Sequence, residues 1–194
     1  MAIADPSQRA WALRDVAGAL ARAGDTQAAQ ATFAAARAVA ETIADPKERA
    51  RALQAVAGAL AWTGRWDDAR AVAETIADPK ERAEALWEVA GALARAGQWE
   101  EARATLADAR TVAVTIADPD KRAGALREVA GALINVGQID DTVALLMRSW
   151  AQAQTVNELT TLFVVDSSLL RTYPTLGGDL LAAFGWVEQV VRTA

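Results

Sequence analysis

Apolar residues recur along this chain at helical spacing, in blocks that repeat. Between residues 46 and 62, Leu53, Val56, Ala57 and Leu60 stand at i, i+3, i+4 and i+7, which is one face of an α-helix. The block opens on the string IADP and closes on a glycine, and the arrangement occurs four times. IADP occupies residues 3–6, 43–46, 76–79 and 116–119, so successive copies lie 40, 33 and 40 residues apart. Each copy continues with an arginine three residues after the proline (Arg9, Arg49, Arg82, Arg122), then VAGAL, then Gly24, Gly64, Gly97 or Gly137.

The flanking residues predict where each helix starts and stops. Aspartate is a strong N-cap, and proline directly after it fits the first helical position, where its missing N–H is not needed. Glu48 and Glu81 follow their aspartates by three residues, the spacing of a capping box. Asp and Arg four apart are placed to pair along the first turn. The closing glycine suits a left-handed C-cap. A second helix follows each glycine, as over residues 66–75 and 99–115, so every copy is a helix A and a helix B. The seven-residue difference between copies falls in helix B. Seven residues are close to two turns, so the longer form keeps the same face inward while reaching about 10 Å further.

Repeats are thus expected over 3–42, 43–75, 76–115 and 116–154, with a divergent pair over 155–194. Thr155 and Glu158 form a T-x-x-E helix start, and a last helix is expected over 179–193 after Pro174, Gly177 and Gly178. Its apolar residues Leu180, Leu181, Phe184, Val187, Val190 and Val191 predict contact with further chain or with another subunit, a route to a homo-oligomer. Asp166 interrupts an apolar stripe and is expected to be a paired structural acid. Met1 directly precedes a repeat start, as it would in a fragment of a longer chain. The predicted fold class is all-α, a right-handed solenoid of about ten helices in antiparallel pairs.

Composition narrows the function classes. The chain has 194 residues, 53% of them hydrophobic and largely alanine, with a net charge of −5. That charge argues against a general electrostatic grip on nucleic acid. With no histidine and no cysteine, the usual general base, thiolate and commonest metal ligands are missing together. Ser167 and Ser168 lack an activating partner, and Gly177–Gly178 lacks the lysine and strand of a phosphate loop. The acidic pairs Asp67–Asp68, Glu100–Glu101 and Asp140–Asp141 open helix B and complement its dipole. Neither catalysis, cofactor nor metal site is expected. No signal peptide or membrane-length apolar run is found, so the expected location is cytoplasmic, with no membrane partner.

A helical pair of about 34 residues with this pattern resembles the tetratricopeptide repeat (TPR). In the third copy Leu86, Val89, Ala90, Leu93, Gly97, Trp99 and Ala102 match the family's consensus positions. The proline falls two residues early, a leucine stands where the family has tryptophan, and two copies carry the seven-residue extension. The alanine-rich copies also look like repeat tails of large bacterial signalling or defence proteins that carry NTPase or caspase-like modules.

What the resemblance implies is a protein-interaction scaffold with a concave groove lined by helix A. Carried over copy by copy, the lining includes Trp11, Arg14 and Arg22; Arg51, Gln54 and Trp62; Glu84, Trp87 and Arg95; Arg127 and Asn135. Gly18, Gly58, Gly91 and Gly131 stand along the same face, either as a flat floor for a peptide backbone or as sites of close helix packing. Arginine and tryptophan dominate binding hot spots, and Trp11, Trp62 and Trp87 are not at equivalent positions, so duplication does not account for them. The expected partner is a protein or peptide segment, acidic or mixed in charge. Trp66 and Trp99, equivalent at the start of helix B, are expected in the core or as staples of the helix start. The alternatives are a self-assembly module and a sensor or regulatory tail of a signalling or defence NTPase or protease.

Overall fold

The computed structural model describes residues 3–153 and 155–163, and within them the chain is helical. Four A helices, each of 17 residues, run over Pro6–Arg22 (α1), Pro46–Trp62 (α3), Pro79–Arg95 (α5) and Pro119–Asn135 (α7). Between and after them lie the B helices Thr26–Glu41 (α2), Trp66–Glu74 (α4), Trp99–Ala113 (α6) and Ile139–Ala151 (α8). Val156–Phe163 (α9) follows. The final helix expected over 179–193, together with Asp166, Ser167, Ser168 and Trp186, lies outside the described residues. The seven residues separating the repeat lengths are found in helix B, with 16 residues in α2 and 9 in α4.

Each A helix starts as its sequence dictates. Asp5, Asp45, Asp78 and Asp118 are extended N-caps whose carboxylates accept from amides two or three residues on, with proline next in line. Each A helix ends before a glycine of positive φ, 84° at Gly24 and 76–80° at the other three. The B helices α4, α6 and α8 have no side-chain cap. Their exposed N-termini are answered by the acidic pairs Asp67–Asp68, Glu100–Glu101 and Asp140–Asp141 in the first turn.

The A helices pack on one another in sequence, and each B helix lies against its own A helix and the next one. That is the architecture of a TPR-like solenoid, with helix A on one face and helix B on the other. The core is a continuous band of small and branched side chains, among them Val56, Ile76, Leu86, Val89, Leu106 and Val129. Alanine recurs where neighbouring helices meet, as at Ala57, Ala69, Ala90 and Ala102, all 0% exposed.

The arginine three residues after each proline does not pair with its N-cap aspartate, as the four-residue spacing suggested. Its backbone amide bonds to the aspartate carbonyl, as helix geometry requires, and in the second, third and fourth copies its side chain reaches backward instead. Arg49 Nη1 donates to the Ile43 carbonyl at 3.1 Å, Arg82 Nε to that of Ile76 at 2.6 Å, and Arg122 Nη1 to that of Ile116 at 3.1 Å. A peptide carbonyl left over at the end of helix B is thereby satisfied. The capping-box glutamate likewise turns elsewhere: Glu48 accepts from the Ser7 hydroxyl at 3.1 Å, tying the first two repeats together.

At the far end Arg122 has a second task. Its Nη2 donates to Glu158 Oε1 at 2.8 Å, and Glu158 is 2% exposed. The amide of Glu158 in turn donates to the Thr155 hydroxyl at 3.0 Å, which confirms Thr155 as a helix cap. Removing one partner of a buried ion pair leaves the other charge uncompensated. Glu158→Ala is therefore expected to destabilise the C-terminal repeats by about 3 kcal/mol, read as an earlier phase in urea unfolding followed by circular dichroism.

Candidate functional site

The face formed by successive A helices carries the sequence-predicted residues in three groups. At its N-terminal end the Arg14 guanidinium lies 4.7 Å from the centroid of Trp11 and pairs with Asp15 Oδ1 at 2.6 Å. Trp11 itself is 45% exposed. Arg22, one turn beyond Gly18, is exposed at the end of α1.

The second group lies between α3 and α5, which make the most extensive of the A-to-A contacts. Trp62 is 71% exposed, and the Arg95 guanidinium from the next repeat lies over its ring, 4.0 Å from the centroid. Gln54 Nε2 donates to Glu84 Oε2 at 3.5 Å and to Glu88 Oε1 at 3.4 Å, while Lys80 Nζ meets Glu84 Oε1 at 2.5 Å. Burial raises the Glu88 carboxyl above its ordinary 4.5; Gln54 opposes that shift and the nearby Glu84 charge adds to it. A Cβ built on Gly58 would stand 3.0 Å from Glu88 Oε2, so glycine there leaves room for the carboxylate between the helices.

The third group surrounds a groove of about 440 Å³ between α5 and α7. Gly91, Gly131 and the alanines Ala90, Ala94 and Ala132 line it with little side-chain bulk, and Trp87, Trp99, Arg95, Glu128 and Asn135 stand around them. Arg127 pairs with Glu128 at 2.6 Å. Trp87 Nε1 is buried without an acceptor. Trp66 packs partly buried against the core as expected, but Trp99 is 48% exposed and belongs to this groove.

Arg51 goes elsewhere. It lines a cleft of about 1170 Å³ along the edge where α3, α5 and α7 begin, together with Lys47, Lys80 and Lys121. Lys80 and Lys121 are paired there with Glu84 and Asp118, at 2.5 and 3.7 Å.

Three acids on the A-helix face were missed in the sequence: Asp15, Glu88 and Glu128. Asp15 and Glu88 stand four residues after Trp11 and Glu84, and Glu128 three before Gly131, all already assigned to that face, so the helical period was the available signal. With them, two of the five arginines assigned to the face, Arg14 and Arg127, are paired with carboxylates, and its charge is mixed rather than basic. Among the described residues no group of three or more His, Cys, Asp or Glu side chains is placed to hold a metal ion. Nor, among the same residues, is any helix long and apolar enough to cross a membrane.

The sequence matches no protein-family model and no curated protein. Among solved structures, TPR-like repeats of a Podosopora anserina kinesin light chain-like protein are 19% identical, with a TM-score of 0.47 over 99% of this chain and 100% of that one. Ton1535 from Thermococcus onnurineus NA1 is 20% identical, with a TM-score of 0.50 over 82% of this chain and 46% of its own. BtubC from P. vanneervenii is 16% identical, with a TM-score of 0.46 over 96% and 87%. These likenesses concern the fold.

Two consequences can be measured. A Cβ on Gly131 would meet nothing within 4 Å, so Gly131→Ala should raise stability by about 1 kcal/mol through helix propensity. Gly97→Ala, at φ 79°, should lower it by about 1 kcal/mol, both read from thermal melts. Glu88 binds a proton more tightly when folded than when unfolded, so its charged form opposes folding. That penalty is absent below pH 4.5, develops as pH rises through the raised value, and is complete above it. Glu88→Gln is expected to raise stability at neutral pH and leave it unchanged near pH 4.

Proposed function

We propose that the chain is a non-catalytic scaffold whose A-helix face holds a protein segment of mixed charge. The observation that carries this reading is the groove between α5 and α7. Mid-helix glycine is about 1 kcal/mol less favourable than alanine, and at Gly131 no neighbour approaches a Cβ closely enough to demand it. At Gly91 the nearest group is only the flexible tip of Arg95, at 3.6 Å. Close packing of helices therefore does not account for glycine at either position. A floor without side chains accounts for both, because a partner's backbone can lie against it.

The walls state what the segment brings. Trp87 and Trp99 offer apolar surface, while Arg95 and Asn135 offer hydrogen-bond donors at the same opening. Further along the face, Glu88 is half-buried with a glutamine and no cation bonded to it, and it favours a basic residue of the partner. Arg22, exposed at the end of α1 and without a carboxylate partner among the described residues, favours an acidic one. A segment carrying both signs around an apolar anchor satisfies the whole face. An exclusively acidic one leaves Glu88 unanswered.

Selection of peptides from a random displayed library on the immobilised protein tests this reading. Enriched peptides are expected to combine an apolar anchor with charges of both signs. Their binding should fall at least tenfold with Trp87→Ala or Arg95→Glu and stay unchanged with Arg103→Glu on α6. Peptides that bind all three variants equally would place recognition away from this face.

A further inference from the structure

The four A helices differ at their ninth and tenth residues, which are Arg14–Asp15 in α1, Gln54–Ala55 in α3, Trp87–Glu88 in α5 and Arg127–Glu128 in α7. Where an arginine precedes the acid, the two pair at 2.6 Å, in α1 and again in α7. In α5 tryptophan stands in the arginine's place, and among the described residues no cation pairs with Glu88. Gln54 of α3 donates to it at 3.4 Å, and the same amide reaches Glu84 at 3.5 Å. Both distances are long for an N–H···O bond, and one neutral amide is shared between two carboxylates. The basic side chains nearby are engaged elsewhere: Lys80 with Glu84, Arg95 over Trp62, and Arg51 in the cleft at the helix starts. At this point the face has an acid prepared for a guanidinium that the chain itself does not supply.

Building on the scaffold role proposed above, we propose that the slot between α3 and α5 takes an arginine side chain of the bound segment, with Glu88 as its carboxylate. Charge complementarity is the first argument. A half-buried carboxylate answered only by a distant amide gains a short, charge-assisted bond from an incoming guanidinium, as its counterparts Asp15 and Glu128 already do. Preorganisation is the second. A Cβ on Gly58 would stand 3.0 Å from Glu88 Oε2, so the bare glycine lets the carboxylate lie between the helices, where an incoming group meets it in a fixed position. Trp62 is the third. It stands one turn beyond Gly58 on α3, and with the Arg95 guanidinium 4.0 Å from its centroid it is still 71% exposed. A guanidinium stacks on an aromatic face and bonds a carboxylate through its planar fork, so this slot favours arginine over lysine. Slot and groove flank α5 on opposite sides. Neighbouring helices pack about 8–10 Å apart and an extended chain advances about 3.3 Å per residue, so the arginine stands about three residues from the apolar anchor in the groove.

Two measurements test the slot, one of them independent of the groove. In the first, N-acetyl-arginine amide is titrated to about 50 mM, a range that reveals a single weak ion pair, while nuclear magnetic resonance follows the Gln54 side-chain amide. That signal, identified by its absence from Gln54→Ala, is expected to shift with the arginine probe. It should stay in place with the neutral isostere N-acetyl-citrulline amide, and with either probe in Glu88→Gln. In the second, peptides selected on the immobilised protein are expected to carry an arginine about three positions from the apolar anchor. Citrulline in its place should weaken binding about tenfold or more, and lysine by less. In Glu88→Gln, or in Gln54→Arg, which brings a guanidinium from α3, the citrulline replacement should cost nothing further. A Gln54 signal that ignores the arginine probe, or moves as far in Glu88→Gln, overturns the proposal. Groove-dependent peptides without arginine overturn it too, and leave the groove itself standing. A Glu88-dependent shift without any groove-dependent peptide would instead support the slot and overturn the groove.

Discussion

At three junctions an arginine guanidinium reaches back to the carbonyl of a buried isoleucine six residues earlier, across the turn that joins one helix pair to the next. That turn leaves a helix end and enters a helix start within a few residues, so it concentrates backbone groups that helices cannot satisfy internally. The aspartate carboxylate takes the amides of the incoming helix, proline removes one amide altogether, and the arginine takes a carbonyl of the outgoing side. With these satisfied, the isoleucine side chain can be buried and the next A helix leaves at a defined angle. Packing of the A helices in series follows from that angle, and so does the face on which the tryptophans and arginines gather.

Much of this was legible because it is local. Helix starts, the glycine C-caps and the location of the seven-residue difference in helix B depend on residues a few positions apart, and the structure places them as expected. The arginine's destination was not local. Spacing along one turn pointed to Asp45 or Asp78, but those carboxylates already accept helix amides, and the unsatisfied carbonyl lies on the other side of the turn. Helical wheels likewise assign Trp99 to the same class as Trp66, although its environment is decided by how far α7 stands from α5.

The same distinction governs the candidate site. Membership of the A-helix face follows from helical period, by which Trp62 and Trp87 were assigned, while Asp15, Glu88 and Glu128 on that period went unnoticed. What single helices cannot give is the pairing between them. Arg95 over Trp62 and Gln54 against Glu84 and Glu88 are contacts between residues thirty or more positions apart in sequence, and Gly91 and Gly131 come from different helices to line one groove. The overlooked acids turn a face that reads as basic in a list of positions into one of mixed charge, and the groove itself carries both Arg95 and Glu128.

The junction arginine also gives the array a direction. Arg49, Arg82 and Arg122 are tied to the turns before them, and Arg122 reaches forward to Glu158 as well, whereas Arg9 is exposed beside an exposed Ile3. Substitution of Arg82 or Arg122 would therefore loosen the turn that lost its arginine and leave the neighbouring turns satisfied, so the array would fail one junction at a time.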